Sequence, residues 1–600
     1  MAEQIVAEDI DIEALEARYA AERDKRLRAE GADQYTELTG SFADYDADPW
    51  ADPTFGRDAI AEETDVLIIG GGVGGLLAAC RLREQGIEKI RIVEKGADFG
   101  GTWYWNRYPG AACDVESYIY MPMLEELGYI PSEKYAKAPE IQGHCQRIAE
   151  KYRLYPDALF QTNVTSAVWH EARNRWIVKT DRDDEIATRF VISATGLLSK
   201  AKLARIPGIE SFAGPNFHTS RWNYDVTGGN PYGGMSKLAD KRVGFIGTGA
   251  TAIQAVPYLA EDAKHLYVFQ RTPSSIDVRG NKPTDPEWAK SLKAGWQRER
   301  MENFGMISSG AFQPEDLVDD GWTEIFRIIS GNTRTEAATS YDPVALQRAE
   351  MAKMEKVRRR VDEIVKDPAT AEALKPYFHY FCKRPGFHDE YLDTFNRSNV
   401  TLVDTAGKGV ERITPKGVVA NGKEYELDVL IFGTGFEYLS EYVRETGIDP
   451  VGPGGRKLSE HWADGARTYR AMQTHGFPNY LLLSVVQGGG PVNYVHVIDE
   501  MAQHAAYIVR RCTDDGITRI EPTAEAEDAW VQEVLTLAAA RRPFFDACTP
   551  GYSNFEGKRR KSQEQNDFYF GPPMAFLNLL RDWRAEGQLR DMQIEGGSKS

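Results

Sequence analysis

Asp65-Val66-Leu67-Ile68-Ile69-Gly70-Gly71-Gly72-Val73-Gly74-Gly75 decides the architecture of this chain. A short aliphatic run enters a glycine turn in which Gly70, Gly72 and Gly75 satisfy GxGxxG, and a helical pattern follows to about Gln85. In such a turn the first glycine permits the tight bend. The second lets backbone approach a pyrophosphate, and the third lets the helix pack closely on the strand. The helix N-terminus then presents unpaired N–H groups to the phosphates. A second strand, IRIVEK, ends on Glu94, placed to accept hydrogen bonds from ribose hydroxyls. The pattern predicts a βαβ unit for FAD or NAD.

The same grammar returns at RVGFIG, Arg242 to Gly247. Its turn, Gly247-Thr248-Gly249-Ala250-Thr251-Ala252, is a GxGxxA variant. Its second strand, LYVFQR, ends at the equivalent spacing on Arg271-Thr272 instead of an acid. Arginine cannot accept from a ribose hydroxyl, but it makes charge-assisted bonds to a 2′-phosphate. The first unit therefore suits FAD and the second NADPH. Ser193-Ala194-Thr195-Gly196 and Phe432-Gly433-Thr434-Gly435 resemble the crossings between domains in two-dinucleotide flavoproteins.

An α/β fold with two Rossmann-like dinucleotide-binding domains follows. The expected division is an N-terminal helical extension over 1–60 and the first part of the FAD domain over 61–200. The NADP domain takes 201–280 and 376–435, interrupted by a helical insertion over 281–375. Residues 436–600 complete the FAD domain and carry the substrate-cavity loops. In the extension, Ile12 to Leu27 has apolar residues at helical spacing and reads as a packing arm without chemistry. The run Lys356 to Arg360 reads as the solvated face of a helix. Gln487 to Pro491, QGGGP, reads either as a flexible loop or as a wall of the substrate cavity.

Composition narrows the remaining classes. A chain of 600 residues exceeds one ordinary core. With 42% hydrophobic and 11% aromatic residues it is globular in composition. A net charge of −18 argues against nucleic acid and anionic lipid as partners and is read as solubility. Val66 to Cys80 is short for a membrane span and carries five glycines, and the N-terminus lacks the pattern of a signal peptide. A cytoplasmic protein is expected, its oligomeric state open. Cys80, Cys113, Cys145, Cys382, Cys512 and Cys548 form no CxxC or ligand-spaced cluster, so neither a disulfide framework nor a metal site is expected.

Three further motifs carry a family resemblance over most of the chain beyond about residue 60. Phe212 to Trp222 matches FxGxxxHxxxW, the fingerprint of type I Baeyer–Villiger monooxygenases. Gly100 to Asp114, GGTWYWNRYPGAACD, meets a second family pattern, and Lys383-Arg384 a third. Asn223 stands where the family usually has Pro or Asp. KRPGFHDEY and CTPGYSNFEG are similar to the subgroup acting on macrocyclic and other bulky ketones.

The resemblance implies an enzyme using FAD, NADPH and O2 to insert one oxygen atom beside a ketone carbonyl, giving an ester or lactone. Arg384 resembles the catalytic arginine that stabilises a flavin peroxide. Asp114 resembles the carboxylate that orients it. Lys383, Arg271 and Thr272 resemble residues gripping the 2′-phosphate. Thr102, Trp103, Asp114 and Tyr120 sit where the family contacts FAD, with Gly101, Trp105 and Val164 alongside. His218 is expected either to couple domain movement or to pack, without touching substrate. The nearest rival is a flavin-containing monooxygenase that oxidises nitrogen or sulfur, and Lys383-Arg384 with Asp114 discriminates against it.

Overall fold

The computed structural model describes residues 10–329, 343–572 and 574–597; residues 1–9 of the extension and 330–342 of the helical segment lie outside them. Helix α1 (Ile12–Asp24) opens the described chain. Asp11 caps it, accepting from the Ala14 N–H at 3.0 Å and so satisfying one of the free donors at a helix start.

The first sheet contains β1 (Ala61–Ile69), β2 (Ile90–Val93), β3 (Ala158–Leu159), β4 (Val164–His170), β5 (Arg175–Thr180) and β6 (Glu185–Ser193). Their order is β3-β2-β1-β6-β5-β4, with Tyr480–Leu482 also paired to β6. β1 pairs in parallel with both β2 and β6. It lies centrally and is covered on both faces, so Val66, Leu67 and Ile68 are all buried and the strand reads as an unbroken apolar run. Helix α2 (Val73–Glu84) follows β1 and buries Leu76, Leu77 and Leu82 against it. Each such side chain contributes about 1.5–3 kcal/mol of burial. Tyr494–Asp514, a long helix from the C-terminal region, packs against α2 and closes this core with Ile498, Met501 and Ala505.

The second sheet contains β7 (Asn216–His218), β8 (Arg242–Ile246), β9 (His265–Gln270), β10 (Val400–Asp404) and β11 (Val429–Phe432). Its order is β10-β9-β8-β11-β7, and every pairing is parallel. Helix α3 (Ala250–Asp262) connects β8 to β9. Between β9 and β10 the chain is mainly helical, with segments at Pro286–Ser291, Trp296–Ser308, Gly321–Ile329, Pro343–Ile364 and Pro368–Leu374. The fold is thus α/β with two Rossmann-like sheets, and the chain visits the first sheet again after completing the second.

Two expectations need correction here. Cys382 and Cys548 form a disulfide across 166 residues. Spacing in the sequence carries no trace of it, because only the tertiary approach of the Tyr380–Cys382 and Arg542–Ala547 segments brings the sulfurs together. Cys80, Cys113, Cys145 and Cys512 are free and buried. The Lys356 to Arg360 run is only partly a solvated face: Lys356 and Arg359 are exposed, the rest is not. Val357 and Arg358 are buried, and Arg358 donates to Tyr19 Oη at 3.1 Å and to the Pro376 carbonyl at 2.8 Å. Arg360 donates to the carbonyls of Ile276 and His388. These arginines tie the helical segment to its surroundings, and α1 is one of the elements they reach.

Candidate active site

A cavity of about 1400 Å³ runs between the glycine turns of the two sheets. Ligands of open parallel sheets bind in this position, beyond the carboxyl ends of the strands. At the first turn Gly70 has φ +105°, and a Cβ there would stand 2.5 Å from the Ala194 carbonyl oxygen. Gly72 and Gly101 meet back to back; a Cβ on Gly101 would be 2.6 Å from Gly72 Cα. Gly70, Gly72, Gly101 and Thr102 line the cavity, whereas Gly75 does not. Gly75 lies beneath the turn, where a Cβ would fall 1.9 Å from the Gly70 carbonyl oxygen, so its role is close helix–strand packing. The backbone is therefore bare where a pyrophosphate would approach it.

Glu94 lines the same cavity and is buried. Its Oε2 accepts from the Gly71 N–H at 2.5 Å and its Oε1 from the Gly96 N–H at 2.6 Å. Burial raises its pKa above the ordinary carboxylate value, while these two donors pull the other way. Trp103, Trp105, Tyr120 and Val164 also face the cavity, and Trp103 Nε1 donates to Tyr120 Oη at 3.1 Å.

The second turn repeats the geometry. Gly247 has φ +124°, with a Cβ excluded by the Gly433 carbonyl oxygen at 2.2 Å; a Cβ on Gly249 would meet nothing within 4 Å. Gly247, Thr248, Gly249, Ala250 and Thr251 line the cavity, and Ala252 packs beneath them in the core. Arg271, Thr272 and Lys383 gather at the far end of β9 on the cavity wall. Thr272 Oγ1 is buried and has no hydrogen-bond partner among the described residues. Burial, and then the charge of Arg271, lowers the Lys383 pKa to about 8.

Between the turns sits the Arg384–Asp114 pair. Arg384 Nε meets Asp114 Oδ2 at 2.6 Å and Nη2 meets Oδ1 at 2.7 Å, a two-point ion pair. Enclosure by protein disfavours the charged arginine, but Asp114 overrides it and the pKa lies above the ordinary arginine value. Enclosure likewise raises the Asp114 pKa, and Arg384 more than reverses this. Both groups are thus held charged. Trp322 completes the arrangement, with its ring 4.7 Å from the Arg384 Cζ and its Nε1 donating to the Asp114 carbonyl at 2.9 Å. Nothing in the sequence singled out Trp322, which lies in the helical segment far from either residue.

The fingerprint segment stands behind the cavity. His218 is buried and absent from its lining. Its Nδ1 accepts from the Ser220 N–H at 3.2 Å, and its ring faces the edge of Phe436 with centroids 5.7 Å apart. Burial lowers its pKa to about 3, so it is neutral. Trp222 is buried and donates through Nε1 to Thr227 Oγ1 at 3.2 Å. Asn223 caps the Tyr224–Thr227 turn, its Oδ1 accepting from the N–H groups of Asp225 and Val226. Asn and Asp serve equally as N-caps, which explains why Asn is accommodated there.

Gly490, Pro491 and Val492 form part of the cavity wall with Tyr438, Tyr494 and Tyr552. Gln487 is buried and pinned, its Oε1 accepting from the Thr468 N–H and hydroxyl. The QGGGP segment is therefore a built wall, not a loose loop. The wall also includes residues that sequence reasoning missed: Lys202 and Glu556, ion-paired at 2.8 Å, and Arg28 and Gln34 of the N-terminal extension. Glu556 lies within the CTPGYSNFEG motif, which offered the only hint of any of them. Among the described residues there is no cluster suited to a metal ion, and no helix is long and apolar enough to cross a membrane.

Comparison with known proteins agrees with this geometry. A family model described as an NAD(P)-binding Rossmann-like domain matches residues 68–127. The chain is 51% identical to neopentalenolactone D synthase of Streptomyces avermitilis, over 98% of this chain and 100% of that protein. It is 52% identical to a Baeyer–Villiger monooxygenase of Stachybotrys chlorohalonatus, over 97% of this chain and 94% of that one. Its structure superposes on the polycyclic ketone monooxygenase of Thermothelomyces thermophila with a TM-score of 0.91 at 39% identity, covering 98% and 100% of the two chains. With a glycine cradle at the head of each Rossmann-like sheet and relatives of this identity along its whole length, the chain belongs to the Baeyer–Villiger monooxygenases, which use FAD and NADPH.

Proposed function

We propose that Arg384 is the cationic group at the reacting centre and Asp114 its orienting partner, and that the substrates are bulky cyclic ketones converted to lactones or esters. When bound, FAD reduced by NADPH would activate O2, from which the inserted oxygen atom comes. Gly70, Gly72, Gly101, Thr102, Trp103, Trp105, Tyr120, Val164 and Glu94 hold the FAD, with Gly75 packing the turn that carries it. Gly247, Thr248, Gly249, Ala250 and Thr251 form the NADPH cradle, supported by Ala252. Arg271, Thr272 and Lys383 take the 2′-phosphate; the buried unpartnered Thr272 hydroxyl fits that acceptor-rich group. On this reading 61–200 and 436–600 form the FAD domain and 201–280 and 376–435 the NADP domain, with the cytoplasm, which supplies NADPH, as the place of work.

The two-point Arg384–Asp114 pair beside the cavity carries the assignment. A guanidinium fixed in this way presents a permanent positive charge where negative charge builds on oxygen during attack on a carbonyl, without reorganising at that moment. Asp114 occupies one edge of the guanidinium and prevents it from swinging away. The substrate class is supported by relatives named for pentalenolactone-type and polycyclic ketone chemistry. The test is a panel of small cyclic, macrocyclic, polycyclic and aryl ketones given to the FAD-loaded enzyme with NADPH, scored by lactone or ester formed. Higher kcat/KM for the polycyclic or macrocyclic members is expected. A preference for cyclohexanone would overturn the substrate class, and nitrogen or sulfur oxidation without any ketone product would overturn the reaction.

A further inference from the structure

We propose that the N-terminal arm is part of the 2′-phosphate site: Arg28 is a charge partner for the phosphate, and Gln34 aims Arg271 at it. The proposal rests on the assignment of Arg271 and Lys383 to that phosphate. It assigns chemistry to a segment whose sequence reads as packing alone.

Arg28 and Gln34 line the cavity together with Arg271, Thr272, Lys202 and Lys383. Arg271 Nη1 donates to Gln34 Oε1 at 2.7 Å, and the Arg271 carbonyl accepts from Arg26 Nε at 3.2 Å. The arm thus grips Arg271 by its side chain and its backbone. Arg28 donates through Nη2 to the Lys408 carbonyl. The segment is itself fastened in place. Tyr35 and Thr36 pair with Ala204 and Leu203, and Lys558 Nζ donates to the Ala29 carbonyl at 3.1 Å.

Charge balance then points to a ligand. Arg28, Lys202, Arg271 and Lys383 face the same part of the cavity, and Glu556 pairs with Lys202 at 2.8 Å and Arg271 at 3.5 Å. Neither Arg28 nor Lys383 has a carboxylate within ion-pair distance among the described residues. Glu556, with Glu30 acting on Arg28 from beyond ion-pair distance, leaves these four cations in excess, and a phosphate monoester brings about −1.5 to −2 charges with three strong acceptor oxygens. Burial, and next the charge of Arg271, lowers the Arg28 pKa, as expected for a cation held beside another. A guanidinium offers the phosphate a fork of parallel donors, which the Lys383 ammonium alone does not.

The experiment titrates NADP⁺ and NAD⁺ calorimetrically into the full-length, FAD-loaded protein, with 2′-AMP and AMP as minimal probes. For Arg28→Ala we expect NADP⁺ and 2′-AMP to bind roughly tenfold more weakly, the scale of one lost charge-assisted hydrogen bond, with NAD⁺ and AMP unchanged. Gln34→Ala should show a smaller loss with the same selectivity. Should Arg28→Ala lose FAD, Arg28→Gln, which keeps a donor for the Lys408 carbonyl, carries the same comparison. An unchanged NADP⁺ affinity, or equal weakening of NADP⁺ and NAD⁺, would overturn the proposal and leave the arm structural. Wild-type protein that binds NAD⁺ as tightly as NADP⁺ would overturn the underlying Arg271 and Lys383 assignment, and this proposal with it.

Discussion

Asp114 and Arg384 face each other edge to edge, with Nε to Oδ2 at 2.6 Å and Nη2 to Oδ1 at 2.7 Å, and the Trp322 ring closes over the guanidinium at 4.7 Å. Each residue fixes what the other cannot fix alone. Asp114 sets the plane of the fork and keeps the arginine charged, and Trp322 limits its tilt. Arg384→Ala should lower ketone oxygenation by about 10²–10³ or more, the scale seen when a fixed charge-stabilising donor is removed. Anaerobic bleaching of the flavin by NADPH should stay within a few-fold of wild type. Arg384→Lys should recover little, because an ammonium cannot make the two-point contact. Undiminished ester formation by Arg384→Ala would remove the residue from the mechanism.

Lys383 gives a pH signature. Burial and then Arg271 depress its pKa to about 8, so it is charged below that value and loses its proton as pH rises through it. A phosphate monoester gains its second charge near pH 6, so NADP⁺ affinity should rise through about pH 6 and fall above about pH 8. NAD⁺ affinity should stay flat over the same range. Lys383→Met should abolish the alkaline fall while lowering affinity throughout. A falling limb that persists in Lys383→Met would assign it to another group.

Asn223 is predicted to serve as a cap. Its Oδ1 accepts from the Asp225 and Val226 N–H groups at 3.0 and 3.2 Å. Asn223→Asp should leave stability within a few tenths of a kcal/mol, and Asn223→Ala should cost about 0.5–2 kcal/mol, measured by denaturant unfolding. A large change in oxygenation rate with Asn223→Asp would show that the side chain does more than cap.

The Cys382–Cys548 disulfide closes a loop of 166 residues and lies immediately before Lys383 and Arg384. Removing a native cross-link typically costs about 2–5 kcal/mol. Cys382→Ser, Cys548→Ser and the double variant should therefore share one lowered Tm, matched by wild type under reductant. NADP⁺ affinity should fall with it, since the bridge ties the Lys383-Arg384 segment to the region leading into Tyr552 and Glu556. Wild-type protein that shows six free thiols after denaturation without reductant would refute the bridge.

Much of the fold could be read locally. The aliphatic run, the glycine offsets and the charge that ends each second strand lie within one βαβ unit, so Glu94 and Arg271 stood out before any tertiary contact was known. Their placement follows from steric rules at Gly70 and Gly247, where the left-handed φ and the crowding by Ala194 and Gly433 leave no room for a side chain. Trp322, Lys202, Arg28 and Gln34 were invisible because each reaches the cavity from a segment whose own pattern is unremarkable; Glu556 was hinted at only by its place in CTPGYSNFEG. Within the charged run at Lys356 to Arg360, Arg358 and Arg360 departed from a solvated face for a related reason. Helical charge reads as solvated unless partners such as Tyr19 and the Pro376 carbonyl are known.

By itself the sequence determined two dinucleotide units and the charge that ends each, because turn geometry and strand-end charge are short-range properties; the role of Lys383-Arg384 came from the family resemblance. Only the tertiary structure decided the two-point geometry in which Asp114 meets Arg384, that Cys382 meets Cys548, and that an N-terminal arm stands beside Arg271. Those meetings close loops of 166 to 270 residues. Their entropic cost is offset by the packing of the whole chain, which no single stretch of sequence encodes.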